Sequence, residues 1–181
     1  MVKLLKLFRQ DIGSRSGRFQ IIAFFTRSIP GRFGFEIRRI LWPRYFAKCG
    51  VGTIIHVGAH ILNPEKLTVG NNVHIGAFTY LQAGGGISLE GNCLLGPYAK
   101  IWSQNHQFRD PNLFISEQGY EYKAVYIGAD VWIGANAFVM PGANIGDRCI
   151  ISACSVVGGK NILPNTILAG NPARKIGTRP T

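Results

Sequence analysis

From Ile127 to Ala169 an aliphatic or small residue recurs at every sixth position: Ile127, Ile133, Val139, Ile145, Ile151, Val157, Leu163 and Ala169. Neither the 3.6-residue period of a helix nor the two-residue alternation of a strand has six as its basic unit. A coil with flat sides and tight corners does, and a short strand followed by a turn, repeated, builds an all-β solenoid of hexapeptide repeats. The marked residue points inward and stacks on its equivalents in the coils above and below. Glycine follows it at Gly128, Gly134, Gly146, Gly158 and Gly170, where a Cβ would obstruct the corner. Three hexads close one triangular coil, so residues eighteen apart are expected to stack, Ile127 on Ile145 on Leu163 and Ile133 on Ile151 on Ala169.

Upstream the same pattern begins near Val51 and continues as Val57, an imperfect hexad at Asn63, Val69, Ile75 and Leu81. At Gly84-Gly85-Gly86 the frame shifts by two residues and resumes as Leu89, Leu95 and Ile101. It then vanishes until Ile127. This reading divides the chain into a cap arm at 1–50, a solenoid at 51–172 with an inserted loop at 102–125, and a basic tail at 173–181. A solenoid needs several coils and covered ends. A long excursion from a regular scaffold is a place to look for chemistry.

The net charge of +11 is concentrated at the start: residues 1–50 hold eleven basic and two acidic residues. Met1 to Phe8 and Phe33 to Lys48 are expected to be helical, the second broken at Pro43, with a turn at Ser28–Gly31. Aromatic and basic residues interleave here, and no signature of a nucleic-acid-binding module accompanies them. The arm is therefore read as a helical cap over the open end of the solenoid, with contact to an anionic membrane surface as the alternative left open, and with no nucleic acid as partner. The apolar run from Phe19 to Phe25 is too short to span a bilayer, and no cleavable secretory signal follows it. Cys49, Cys93, Cys149 and Cys154 form no C-x-x-C pair and read as small core residues in a reducing compartment. The expected location is cytoplasmic, peripheral at the inner face of the cell membrane.

The hexads, the Asn105-His106 pair opening the loop, the stretch Ile127-Gly-Ala-Asp-Val-Trp-Ile-Gly-Ala-Asn-Ala137 and the terminal Ala169-Gly-Asn-Pro-Ala-Arg174 together resemble the hexapeptide-repeat acyltransferases, in particular sugar and polysaccharide O-acetyltransferases. The resemblance covers about Gly50 to Arg174. It implies a left-handed parallel β-helix with a basic, partly helical cap and a protruding loop. It also implies a homotrimer with active sites between subunits, and acetyl-CoA as acyl donor with no metal required. Carried over residue by residue, His106 is the general base, and Gly134, Ala135 and Ala153 line the pantetheine arm with Trp132 beside them. Lys160, Arg174 and Lys175 meet the CoA phosphates.

Imidazole suits the base's task, since its neutral form accepts a proton near neutral pH while a hydroxyl attacks the thioester carbonyl. Backbone N–H groups of the Trp132–Ala135 turn are candidates for the oxyanion. Asn105, Tyr120 and Lys123 are candidates for holding the acceptor, expected to be a sugar hydroxyl of a cell-envelope polysaccharide precursor. N-acetylation of an amino sugar and inactivation of a drug remain open in the same class. A γ-type carbonic anhydrase-like protein is the rival outside it. His56 and His74, eighteen apart and expected to stack, would with His60 be its metal ligands. The pair of histidines five residues apart that belongs to that pattern is missing, so these three are expected at the surface or an interface.

Overall fold

The computed structural model describes residues 2–180. Residues 48–169 wind into a parallel β-solenoid with three faces. Six strands, from Lys48–Cys49 to Asn161–Ile162, make the first face; the second runs from Ile54–Ile55 to Thr166–Ala169, and five strands from His60–Leu62 to Val156–Val157 make the third. Each is only two to four residues long and donates to the coil above, so the backbone is satisfied between coils. Inside, Ile127 sits in register with Leu89 and Ile145, and Ile133 with Leu95 and Ile151, all buried. The β-branched residues favoured here lose little rotamer freedom on a pleated, half-buried surface.

The glycines after the inward residues serve close approach between coils. A Cβ on Gly134 would lie 2.5 Å from the backbone nitrogen of Ala153 and 2.9 Å from its Cα. Left-handed φ falls two residues later, at Asn136 (57°) and Cys154 (60°).

The frame departs from the sequence reading at both ends. Near the start the inward residues are Cys49, Ile55 and Ile61, paired with Val69, Ile75 and Leu81. Val51 is a corner residue, 77% exposed, and neither Val57 nor Asn63 faces the core. At the other end Ile145 pairs with Ile162 and Ile151 with Leu168. Leu163, also 77% exposed, and Ala169 are displaced from the column because the corner at Gly158-Gly159-Lys160 is one residue short. Ile162→Ala is accordingly expected to cost about 2 kcal/mol or more and Leu163→Ala less than about 0.5 kcal/mol. Denaturant midpoints of the two variants would separate the frames, and a larger loss at Leu163 would restore the unbroken hexad.

Irregularities upstream fall on one corner, between the third and first faces. Eight residues rather than six separate Ile61 from Val69 and Leu81 from Leu89 there, and the long loop leaves from the same corner one coil later. The loop is not structureless. Gln104–His106 and Tyr120–Tyr122 pair as an antiparallel hairpin, with a short 3₁₀ turn at Ile115–Glu117.

Three helices precede the solenoid: α1 (Val2–Gly13), α2 (Arg15–Thr26) and α3 (Gly31–Leu41), with a 3₁₀ turn at Trp42–Tyr45. Met1, assigned to the first expected helix, lies outside the described residues, as does Thr181 at the end of the tail. Helix α2 was missing from the sequence reading, although Ser14 is a cap signal: its Oγ accepts from Gly17 N at 2.9 Å. The second expected helix begins earlier, after Pro30, and its α-helical part ends before Pro43.

The cap covers the first coil through Phe19 and Trp42, both buried, with ring centroids 5.2 Å apart. Arg38 is fully buried and faces no carboxylate. It donates instead to the carbonyls of Ile55 (2.9 Å), Thr26 (3.0 Å) and Ile29 (2.8 Å), joining two helices and the solenoid.

The expected tail is a strand from Arg174 to Thr178, antiparallel to Thr166–Ala169, and Arg179 pairs with Asp130 at 3.0 Å. Of the cysteines, Cys93 and Cys149 are buried, and burial pushes the Cys93 thiol up to about 11. Cys154 is exposed on a corner, against the expectation that all four pack inside.

Candidate functional site

The base of the hairpin is fixed by Ser103, which is fully buried. Its Oγ donates to Gln82 O (2.7 Å) and accepts from Gly85 N (2.9 Å), while its carbonyl accepts from Lys123 N (2.9 Å). From this base His106 projects at the third position of its strand, opposite Tyr120, the two rings 4.5 Å apart. Asn105 precedes it and accepts from the His106 backbone N–H at 3.1 Å.

His106 stands between two recesses. One, of about 200 Å³, lies against the third face and is lined by Tyr80, Gln82, Trp102, Asn105, His106 and Tyr120 among others. The other, of about 330 Å³, opens on the far side beside Gln107, Phe108, Arg109 and Glu121. Tyr80, Gln82 and Trp102 escaped the sequence reading because they belong to the coils that flank the hairpin, not to the hairpin. The hairpin's direction, which brings His106 over them, carries no local signal. The aromatic strip extends further, with His60 stacked on Tyr80 at 4.6 Å and Tyr80 beside Trp102 at 5.9 Å.

Of the residues expected at the site, Asn105, His106 and Tyr120 come together on the hairpin. Lys123 does not join them; it sits at the hairpin's foot, paired with Glu121 at 3.0 Å. Gly134, Ala135 and Ala153 stack in adjacent coils on the corner between the second and third faces. Trp132 lies outward on the second face, 52% exposed, in register with the exposed Leu94. Lys160 is exposed two coils beyond the hairpin on the hairpin's corner, and Arg174 and Lys175 are exposed on the final strand. None of these three cations is in an ion pair among the described residues. Within one chain the hairpin springs from the opposite edge of the third face to the Gly134 corner.

The expected oxyanion donors are corrected in part. Trp132 N and Gly134 N donate to Cys149 O (3.0 Å) and Ile151 O (2.7 Å) in the next coil, so neither is free.

The remaining histidines do not form the expected stack. Register places His74 beside Ile54, not His56, because this coil holds twenty residues. His56 packs on Phe35 and His60 on Tyr80. Burial holds both below the usual imidazole range, helped at His56 by His74 and Arg38 and at His60 by Arg27. Their unfolded counterparts take up protons first as pH falls, so the stability they contribute is present above about pH 6.5 and lost below it. A melting temperature that falls between neutral and mildly acidic pH, and falls less in His60→Phe, is the expected result of thermal melts across that range.

Two repeat families match the chain: bacterial transferase hexapeptide (six repeats) over residues 124–159, and hexapeptide repeat of succinyl-transferase over 66–96. A Staphylococcus aureus protein assigned as an acetyltransferase is 32% identical over 112 residues, 61% of this chain and 54% of the relative. WcaF of Escherichia coli, assigned as an acetyltransferase of colanic acid biosynthesis, is 28% identical over 142 residues, 78% of this chain and 75% of the relative. The chain spans little more than half the length of the first curated relatives it matches.

Among solved structures, a maltose O-acetyltransferase from Clostridium difficile 630 superposes with a TM-score of 0.79 at 24% identity, covering 97% of this chain and 89% of the other. A galactoside acetyltransferase in complex with coenzyme A gives 0.80 at 24% identity, covering 91% and 80%. These likenesses establish the architecture, a left-handed parallel β-helix of hexapeptide repeats with a helical N-terminal region.

Proposed function

We propose that this chain, whose repeats match two hexapeptide-repeat families of the transferase type over residues 124–159 and 66–96, is an acetyl-CoA-dependent acetyltransferase acting on a sugar hydroxyl. The acceptor would be a cell-envelope polysaccharide precursor, met at the inner face of the membrane through the basic N-terminal arm. The observation that carries the reading is His106, held on a hairpin over a recess lined by Tyr80 and Trp102, whose rings lie side by side. In this reading the acceptor hydroxyl attacks the thioester carbonyl, His106 takes its proton, and the C–S bond breaks to release the CoA thiol. Transfer is direct, with no intermediate on the protein.

The donor would lie along the corner formed by Gly134, Ala135 and Ala153, with its phosphates toward Lys160, Arg174 and Lys175 as charge partners. The hairpin springs from the opposite edge of the third face to that corner in one chain, and the complete site is read as that of a homotrimer in which neighbours contribute the two halves. The hairpin tip supports this, since Phe108, Leu113, Phe114 and Ile115 are exposed there.

The test is thiol release from acetyl-CoA against nucleotide sugars, amino sugars, simple glycosides and chloramphenicol. Release with a hydroxyl acceptor, and a product mass that places the acetyl on oxygen, is the expected result. Acetyl on nitrogen would make it an amino-sugar N-acetyltransferase. Release with chloramphenicol alone would make it a drug-inactivating enzyme.

A further inference from the structure

We propose that the helical cap is an in-plane membrane anchor, in which the apolar side of α1 and the Phe24-Phe25 pair of α2 lie in the interface of an anionic bilayer. At 100° per residue, Leu4, Leu5, Leu7, Phe8 and Ile12 of α1 fall on one half of the helix, with Asp11 the one charged residue among them, while Lys3, Lys6, Arg9 and Gln10 fall on the other. The apolar half is uncovered: Leu4 is 73% exposed and Phe8 55%, and on α2 Phe24 is 75% and Phe25 69% exposed. Phe24 and Phe25 border a groove of about 510 Å³ whose lining also includes Gly17, Gln20, Ile21 and, from α1, Asp11. Gly17 permits the close approach of the two helices at their turn, since a Cβ there would lie 2.6 Å from the Asp11 Cα.

Charge complementarity selects the occupant. Residues 1–50 carry eleven basic side chains against Asp11 and Glu36, and Glu36 is already paired with Arg39. Lys3, Lys6 and Arg9 flank the apolar strip without an ion pair among the described residues. A second copy laid on this surface would set these cations against their own kind, whereas anionic lipid headgroups neutralise them while the acyl boundary takes the leucines and phenylalanines. No helix among the described residues is long and apolar enough to cross a membrane, so the element lies on the surface. The hairpin bearing His106 leaves the third coil, two strand spacings or roughly 10 Å beyond the coil that the cap covers. The anchor rests on the membrane contact in the reading above and not on its transfer chemistry.

The test is co-sedimentation of the full chain with phosphatidylcholine vesicles made with and without phosphatidylglycerol. The chain is expected to bind the anionic vesicles preferentially and to be released by salt. Leu4→Ser with Phe8→Ser, and separately Phe24→Ser with Phe25→Ser, are expected to lower the partition by about ten-fold or more. Lys6→Glu with Arg9→Glu is expected to remove the preference for anionic lipid. Thermal melts would confirm that each variant is folded. Acetyl transfer to a soluble acceptor, unchanged in the variants, would separate loss of the anchor from loss of the enzyme. Absence of binding, or binding indifferent to lipid charge or to the serine substitutions, overturns the proposal. So does light scattering in which the serine variants shrink the assembly, which would make the surface a contact between copies.

Discussion

Replacing His106 with alanine is expected to lower kcat/KM for acetyl transfer by about 10²–10⁴ while leaving the melting curve in place. The side chain is exposed and the hairpin is held by backbone pairing of Gln104 with Tyr122 and of Asn105 with Glu121, neither of which needs the imidazole. The loss therefore reads out chemistry and not folding. His106→Gln, which keeps a hydrogen-bonding group but cannot accept the acceptor's proton at that position, is expected to fall with alanine. A glutamine variant close to wild type would reduce His106 to a positioning residue, and near-normal turnover in both would remove it from the mechanism. Truncating Tyr120, whose ring lies 4.5 Å from the imidazole, should raise KM more than it lowers kcat if the ring serves the acceptor.

Ile145→Asp is expected to abolish the folded state at ordinary temperature. Ile145 is 1% exposed and stacks between Ile127 and Ile162 in a column of aliphatic side chains. A carboxylate placed there has no partner and must be buried charged or protonated against its preference, at a cost of several kcal/mol. That is comparable with the whole stability of a domain this size, about 5–15 kcal/mol. Because each coil contacts only its neighbours, the damage should spread along the solenoid. Circular dichroism melts of the purified variant check this, and an unchanged transition would mean that position 145 does not face the column. Asn144→Asp, one residue away on the outer surface, is the matched control and should melt like the wild type.

The site was legible where a residue type and its local sequence sufficed. His106 opening a break in a regular repeat pointed to the hairpin, and the basic character of the first fifty residues pointed to a cap unlike the rest of the chain. Tyr80 and Gln82 were illegible, because each looks like an ordinary repeat residue and becomes part of the recess only when the hairpin folds back across the third face, and Trp102, counted with the loop by sequence, ends the third-face strand Lys100–Trp102. The oxyanion assignment at Trp132 and Gly134 failed for a related reason: hydrogen bonds between coils had already used those N–H groups.

The amino-acid sequence by itself determined that this chain is a solenoid, since a six-residue period with glycine beside the inward residue admits little else. It also determined which residues form the column between Val69 and Val157, where the aliphatic hexad position recurs on either side of the Gly84–Gly86 shift and the inserted loop. Tertiary structure alone decided the frame at the two ends. At Ile162-Leu163 two adjacent aliphatic residues compete for one inward position, and Val51 at the first corner is as apolar as the inward Ile55. There the winner is set by corner length and by pairing with the next coil. Only the folded chain shows that the extra residues gather on one corner, that the hairpin folds back to bring His106 over the third face, and that the apolar half of α1 is left uncovered. Each of these depends on contacts between residues far apart in the chain, which periodicity does not encode.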